Sequence, residues 1–219
     1  MKLVALSDTH SRVPVSGVPD GDVLIHAGDL TKRGSLEEIA AAGDWLRSLP
    51  HPRKIVIAGN HDFAFERTPQ EARAALGGGL DYLEDSGVAI DGVAIWGSPW
   101  QPWFHDWAFN LPRGQRLAEK WALIPDDTHV LVTHGPPHGV LDRTVSGESA
   151  GCRDLVDRVR AVRPAVHIFG HIHESFGRLR DGDTTFVNAS ICDLSYKPVN
   201  PAHVIELGEC AGMFGRDLR

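Results

Sequence analysis

The chain has 219 residues, 42% of them hydrophobic and 23% charged, with a formal net charge of −7. This length and balance suit a globular α/β chain with a sizeable core, and they exclude a disordered, fibrous or coiled-coil protein. The acidic balance argues against a protein that grips long nucleic acid by its phosphates. The three scattered cysteines, Cys152, Cys192 and Cys210, are too few for a disulfide framework or a thiolate zinc site.

Residues 2–7 form a short apolar run closing on a polar cluster, the pattern of a buried strand feeding a loop. Residues 22–27 repeat it and end at Gly28-Asp29. Residues 35–48 place Leu36, Ile39, Ala42 and Leu46 at helical spacing, with Ser35 as N-cap and Glu38 as its capping-box partner. Pro50 and Pro52 stop that helix. Residues 54–58 make a third strand ending at Gly59-Asn60-His61. Residues 69–76 read as a short helix closed by Gly77-Gly78-Gly79. Short strands follow at 82–83, 88–90 and 93–96, with turns at Ser86-Gly87 and Asp91-Gly92. Residues 97–110 form a loop dense in Trp and Pro. A helix is expected over 113–123, and a strand over 129–133 ends at His134-Gly135. A further helix over 154–162 stops before Pro164, and a strand over 165–169 ends at Gly170-His171. Residues 176–180 and 184–188 pair across Asp181-Gly182-Asp183. A last strand spans 203–207, and the tail over 208–219 frays. Strands alternating with helices, then hairpins, predict an α/β fold with mixed pairing, in a single domain over 1–219.

No stretch reaches the roughly 18 apolar residues of a membrane span. The apolar run at the start is too short for a signal peptide, so a reducing, cytoplasmic setting with no membrane partner is expected. Asn188-Ala189-Ser190 matches a glycosylation sequon by chance on that reading.

The chain carries 12 histidines against 2 methionines and 2 tyrosines. Five of them sit at strand ends, in Asp8-Thr9-His10, Asn60-His61-Asp62, His134-Gly135 and His171-Ile172-His173. A fifth strand end supplies Gly28-Asp29. Strand C-terminal ends of an open α/β sheet gather in one crevice, so these residues become neighbours in space. Two carboxylates, one Asn and five imidazoles suit Mn, Fe, Co, Ni or Zn. Eight groups are too many for one ion and suit two ions sharing a carboxylate. In Asp8-x-His10 and His171-x-His173 the two side chains of extended backbone point the same way.

The ordered set D-x-H, GD, GNHD, HG and GHxH, over Asp8 to His173, resembles the calcineurin-like metallophosphoesterases. Trp96-Gly97-Ser98-Pro99-Trp100, Trp107-Ala108-Phe109-Asn110-Leu111, Thr133-His134-Gly135-Pro136-Pro137 and Val187-Asn188-Ala189-Ser190 resemble its metallophosphoesterase-domain branch. That branch is similar to class III cyclic-nucleotide phosphodiesterases. The resemblance implies a four-layer α/β/β/α sandwich with two mixed β-sheets. It implies that Asp8, His10, Asp29 and His173 hold one divalent ion, and that Asp29, Asn60, His134 and His171 hold a second, with Asp29 bridging. His61 is then the acid or electrostatic stabiliser beside the phosphoryl group. Two ions, Mn favoured among Mn, Fe, Zn, Ni and Co, activate a water for in-line attack on phosphorus.

The expected substrate is a small phosphate ester, a (cyclic) nucleotide foremost. The alternatives are a protein or small-molecule phosphomonoesterase of the same fold, a nuclease, or a nucleotide-binding scaffold with weak catalysis. The negative charge weighs against the nuclease. Asp62 either orients an imidazole or caps a turn or helix.

The remaining histidines divide. His26, His129 and His167 lie in apolar strands and read as packed groups. His51 and His203 read as ordinary turn and strand positions. His105, His138 and Asn110 are the candidates for bordering the substrate, and Arg113 is a weaker one. Trp96, Trp100, Trp103 and Trp107 fall within 12 residues. Most of them are expected to clamp the loop onto the body, with a base-stacking wall or a homodimer surface as the alternatives.

Overall fold

The computed structural model describes residues 1–14 and 16–210. Most of the tail expected to fray, residues 211–219, lies outside them. The strands are β1 (Lys2–Leu6), β2 (Val23–Ala27), β3 (Arg53–Ile57), β4 (Asp81–Tyr82), β5 (Ser86–Ile90), β6 (Val93–Ser98), β7 (Gln101–Pro102), β8 (Asn110–Leu111), β9 (Val130–Thr133), β10 (Val166–Phe169), β11 (Gly177–Asp181), β12 (Thr184–Asn188) and β13 (His203–Glu206). The helices are α1 (Leu36–Ser48), α2 (Phe63–Arg67), α3 (Pro69–Leu76), α4 (Gln115–Trp121), α5 (Arg153–Val162) and α6 (Leu207–Cys210). No helix among the described residues is long and apolar enough to cross a membrane.

Two mixed sheets result. A 5-stranded sheet runs β13-β1-β2-β3-β4 and a 6-stranded sheet runs β11-β12-β10-β9-β6-β5. In the first, β1 to β4 are parallel and β13 is antiparallel. In the second, β12, β10, β9 and β6 are parallel, while β11 and β5 close the two edges antiparallel.

Period-two alternation explains the layering. Leu3, Ala5, Ile25, Ile55 and Ile57 turn inward against Ile95, Val130, Val132, Ile168 and Val187. The intervening Val4, Leu6, Leu24 and Val56 turn outward onto Ala42 and Leu46 of α1. On the opposite face Leu131, Phe169 and Phe186 pack on Trp121 of α4 and on Leu155 and Val159 of α5. The order of layers is α/β/β/α, as the resemblance implied. The predicted capping box holds α1: Glu38 N donates to Ser35 Oγ at 3.2 Å, and Ser35 N donates to the Glu38 carboxylate.

Four local expectations change. Ser86-Gly87 is strand, not turn, because it ladders onto Trp96-Gly97 of β6. The Trp-rich loop is partly ordered by the two-residue strands β7 and β8, which pair with each other. Helix α2 was not foreseen, since its single turn is too short to show a period. The tail begins with one more helical turn, α6, before the described residues end.

Candidate active site

All five strand-end motifs converge. Strands β1, β2 and β3 are parallel neighbours and deliver Asp8, His10, Asp29, Asn60 and His61 at one edge. Strands β9 and β10 are parallel neighbours of the other sheet and deliver His134 and His171, with His173 opening a 3₁₀ turn just beyond. The two edges are stitched by backbone. Ser7 N donates to Ala189 O and Ile191 N donates to Ser7 O, while within the second sheet Gly170 N donates to His134 O and holds the β9 and β10 ends together.

The donor atoms lie close together. His173 Nε2 is 3.3 Å from Asp8 Oδ1 and 3.2 Å from His10 Nε2. His10 Nε2 is 3.7 Å from Asp29 Oδ2. On the other side, Asp29 Oδ1 is 3.5 Å from His134 Nε2. Asn60 Oδ1 is 2.9 Å from His134 Nε2 and 2.8 Å from His171 Nδ1. The sets Asp8/His10/His173 and Asp8/Asp29/His134 each bring their ligand atoms within 4.8 Å of one another. Asp29 reaches both sides.

The surrounding groups fix how each ring faces. His10 Nδ1 donates to Thr31 O, His134 Nδ1 to Ala27 O, and His173 Nδ1 to Asp193 O. Each bond leaves Nε2 turned into the cluster, the usual arrangement around a metal-binding imidazole. His171 faces the cluster through Nδ1. His171 N and Ser190 Oγ donate to Asp8, and His61 N donates to Asp29 Oδ1.

Asp8, His10, Asp29 and His171 all have positive φ, between 45° and 69°. Each such residue costs on the order of 1–3 kcal/mol and persists only where surrounding structure imposes it. Gly59 and Gly170 lie so close that a Cβ on them would overlap the carboxylates of Asp29 and Asp8.

Charge is divided within the cluster. Burial pushes Asp8 and Asp29 up, yet both end below the usual carboxylate range. His173 holds Asp8 down by hydrogen bond and charge, and His134 holds Asp29 down the same way. Burial works against the charge on His134 and His173 too, but Asp29 and Asp8 lift them to about 9. Burial and the His134 charge push His171 down to about 3. Two buried carboxylates, four imidazoles and an amide oxygen aimed at shared points make a donor set that fits divalent transition metals.

A cavity of about 320 Å³ opens over this floor. Its rim includes Trp103, Phe104, Trp107, Leu194 and Tyr196. Trp107 lies on His61, with ring centroids 4.2 Å apart. His61 Nδ1 donates to Lys32 O at 2.9 Å, so its Nε2 faces the site, 3.9 Å from Asp29 Oδ2.

The expected substrate neighbours stand elsewhere. His105, His138 and Asn110 are not among the lining residues. His105 is exposed at the end of the β7–β8 loop. Asn110 spends its amide on Phe104 O and His105 O, bracing that loop. His138 Nδ1 faces Asp142 at 3.7 Å. Arg113 does reach the cavity wall, but its guanidinium donates to Gly151 O and Ala150 O. Asp62 orients no imidazole; it stands at the N-cap position of α2 without a side-chain cap bond, and its carboxylate closes the turn from Gly59. It accepts from Leu30 N, Thr31 N, Gly59 N and Thr31 Oγ1, and so ties the Asp29 loop to the Asn60 loop.

The tryptophans split. Trp96 and Trp100 pack against the α4–α5 side of the body, whereas Trp103 and Trp107 line the cavity. Tyr196, on the rim, carried no sequence signal beyond the polar stretch around it. Cys152 and Cys192 are buried free thiols, pushed up by that burial, Cys192 to about 12.

Comparison with known proteins agrees with this architecture. The calcineurin-like phosphoesterase family model matches residues 1–175. The chain is 47% identical to human metallophosphoesterase domain-containing protein 1 over 230 aligned residues, covering 94% of this chain and 71% of that protein. It is 44% identical to the Caenorhabditis elegans UPF0046 protein K07C11.7, covering 88% of this chain and 70% of that protein. The fold is similar to that of TT1561 of Thermus thermophilus, with a TM-score of 0.58 and 15% identity, covering 94% of this chain and 98% of that one. The chain therefore belongs to the calcineurin-like phosphoesterase family, in the branch of the metallophosphoesterase domain-containing proteins. It is a metal-dependent phosphoesterase that uses divalent ions.

Proposed function

We propose that the chain is a phosphodiesterase acting on small esters, (cyclic) nucleotides foremost, in the cytoplasm. The observation that carries this reading is the small cavity with aromatic walls above the acidic and imidazole floor. About 320 Å³ lies near the lower end of small-ligand sites. Trp103, Phe104, Trp107 and Tyr196 offer faces to a planar base or aryl group.

Asp8, His10, Asp29 and His173 would hold one ion, and Asp29, Asn60, His134 and His171 would hold the second. Manganese is the first choice among Mn, Fe, Zn, Ni and Co. When bound, the pair supplies charge neutralisation at the phosphoryl oxygens and an activated water for in-line attack. Asp29, Asn60 and His61 carry the catalysis from the protein side. His61 keeps Nδ1 on Lys32 O, which turns Nε2 toward the departing alkoxide as its acid or electrostatic stabiliser. Trp107 packs over the His61 ring and helps hold it in that orientation. The exposed Trp103 and Phe104 also suit contact between two copies of the chain, which sedimentation checks.

The test is turnover by Mn-loaded protein on bis-p-nitrophenyl phosphate and on 3′,5′- and 2′,3′-cyclic nucleotides. The comparison substrates are p-nitrophenyl phosphate, a phosphopeptide and single-stranded DNA. Diester kcat/KM is expected to exceed monoester and phosphopeptide values by about tenfold, a difference of about 1.4 kcal/mol in barrier. A preference for the monoester or phosphopeptide, or no hydrolysis of any, overturns the reading.

A further inference from the structure

Tyr196 lies above the imidazoles assigned to the first ion. Its ring meets His10 edge-on at 4.6 Å, with His61 at 5.8 Å and His173 at 5.9 Å. Two aromatic residues of the cavity lining thus cover different histidines: Trp107 covers His61, and Tyr196 packs edge-on against His10.

Its backbone is held in a costly conformation. Tyr196 has φ 57°, in the left-handed region that a bulky residue seldom adopts. A turn built on Asp193 imposes it. Ser195 N and Lys197 N donate to Asp193 Oδ1, Tyr196 N donates to Asp193 O, and Asp193 N donates to Lys197 O. The same Asp193 carbonyl accepts from His173 Nδ1 at 3.0 Å. One turn therefore fixes both a metal-binding imidazole and the tyrosine beside it. Strain that is imposed by a tight turn at a site edge points to a job for the strained side chain.

The hydroxyl is free for that job. Thr144, the other hydroxyl on the lining, is engaged with Ser146 and with Glu148 O. Arg113 is engaged with backbone carbonyls. The Tyr196 hydroxyl has no hydrogen-bond partner among the described residues.

We propose that Tyr196 contacts the substrate, its hydroxyl donating a hydrogen bond to a phosphoryl oxygen held over the His10 side of the cluster. This rests on the phosphoesterase reading of the site, and it adds a donor from a segment outside the strand-end motifs. A neutral O–H placed where charge builds on phosphorus in the transition state stabilises it without repelling the ions. The ring, packed edge-on against His10, sets where that hydroxyl stands.

Tyr196→Phe keeps the ring and removes the donor. In Mn-loaded protein it is expected to lower kcat/KM on bis-p-nitrophenyl phosphate by about tenfold or more. It is also expected to weaken orthophosphate binding, measured by calorimetry, by about fivefold or more. Metal content and Tm stay at wild-type values. Tyr196→Ala is expected to be at least as impaired as Tyr196→Phe in both assays. If Tyr196→Phe stays within about twofold of wild type in both assays, the hydroxyl has no role and the proposal fails; damage in Tyr196→Ala alone then assigns the ring to packing. A wild-type protein that hydrolyses none of the esters overturns the phosphodiesterase reading instead, and the orthophosphate measurement still decides the role of Tyr196.

Discussion

The floor of the cavity comes from strand ends and its rim from loops, and the two are held differently. Asp8, His10, Asp29, Asn60 and His134 are buried to within 3% of full occlusion, and each is fixed by backbone bonds, shared donors or both. Trp103, Phe104 and Leu194 on the rim are more than half exposed. The floor is crowded and strained; the rim is open, with apolar faces turned to solvent. A floor of this kind sets metal geometry and hence kcat. A rim of this kind selects what sits above it, and so acts on KM. The difference teaches where each kind of substitution must register.

Replacing Asp29, whose carboxylate reaches both sides of the cluster, is the strongest way to break this division. Asp29→Ala is expected to cut kcat/KM by at least about 10³-fold, and metal analysis is expected to show loss of bound ions. Retention of both ions would mean that Asp29 does not bridge. His61→Ala comes next, with a fall of about 10²–10³-fold in kcat and both ions retained, since His61 stands outside the two proposed ligand sets although its Nε2 lies 3.9 Å from Asp29. Loss of metal in that variant would move His61 from the chemistry into the floor.

Trp103→Ala sharpens the other side. It is expected to raise KM for a nucleotide substrate by about fivefold, the low end for an exposed stacking face, with kcat and Tm unchanged. A change in kcat would deny the separation of rim from floor.

The smallest expected effect lies beneath the floor. His167 pairs with Thr133 at 2.9 Å, and Thr133 in turn donates to Gly135 O beside His134. His26 pairs with Thr9 at 3.0 Å in the same manner under Asp29. Burial pushes both imidazoles down to about 3. From about pH 6.5 down to about 3 the unfolded chain binds a proton at each position that the folded chain does not, so stability falls as pH falls. His167→Gln retains a polar partner for Thr133 and is expected to flatten that acid limb by one proton, about 1.4 kcal/mol per pH unit. Denaturant midpoints measured across that range check it, and an unchanged slope would place the acid sensitivity elsewhere.

The floor was legible in the sequence because parallel strands end together. Once Asp8, Asp29, Asn60, His134 and His171 are recognised at strand ends, the sheet does the rest. The capping box of α1 and the layers of the sandwich were legible for the same reason, as local periods that packing rewards. The rim was not. His105 and His138 sit in loops near the motifs, yet one ends in solvent and the other faces Asp142. Asn110 is spent on bracing its own loop. Asp62 looked like a partner for an imidazole or a cap; it closes the turn from Gly59 and satisfies the backbone of two loops at once. Tyr196 lies in a segment without period or motif, and its placement depends on an Asp193 turn closed by four hydrogen bonds.

By itself, then, the sequence determined the family, the α/β layering and which strand-end residues gather at the floor, because each follows from residue type and order along the chain. Tertiary structure alone decided that Trp107 covers His61, that Tyr196 stands over His10, and that Asp62 joins two loops. Those are contacts between segments far apart in sequence. They depend on loop paths that no local period encodes, and they exist only once the two sheets close against each other and bring their strand ends to one edge.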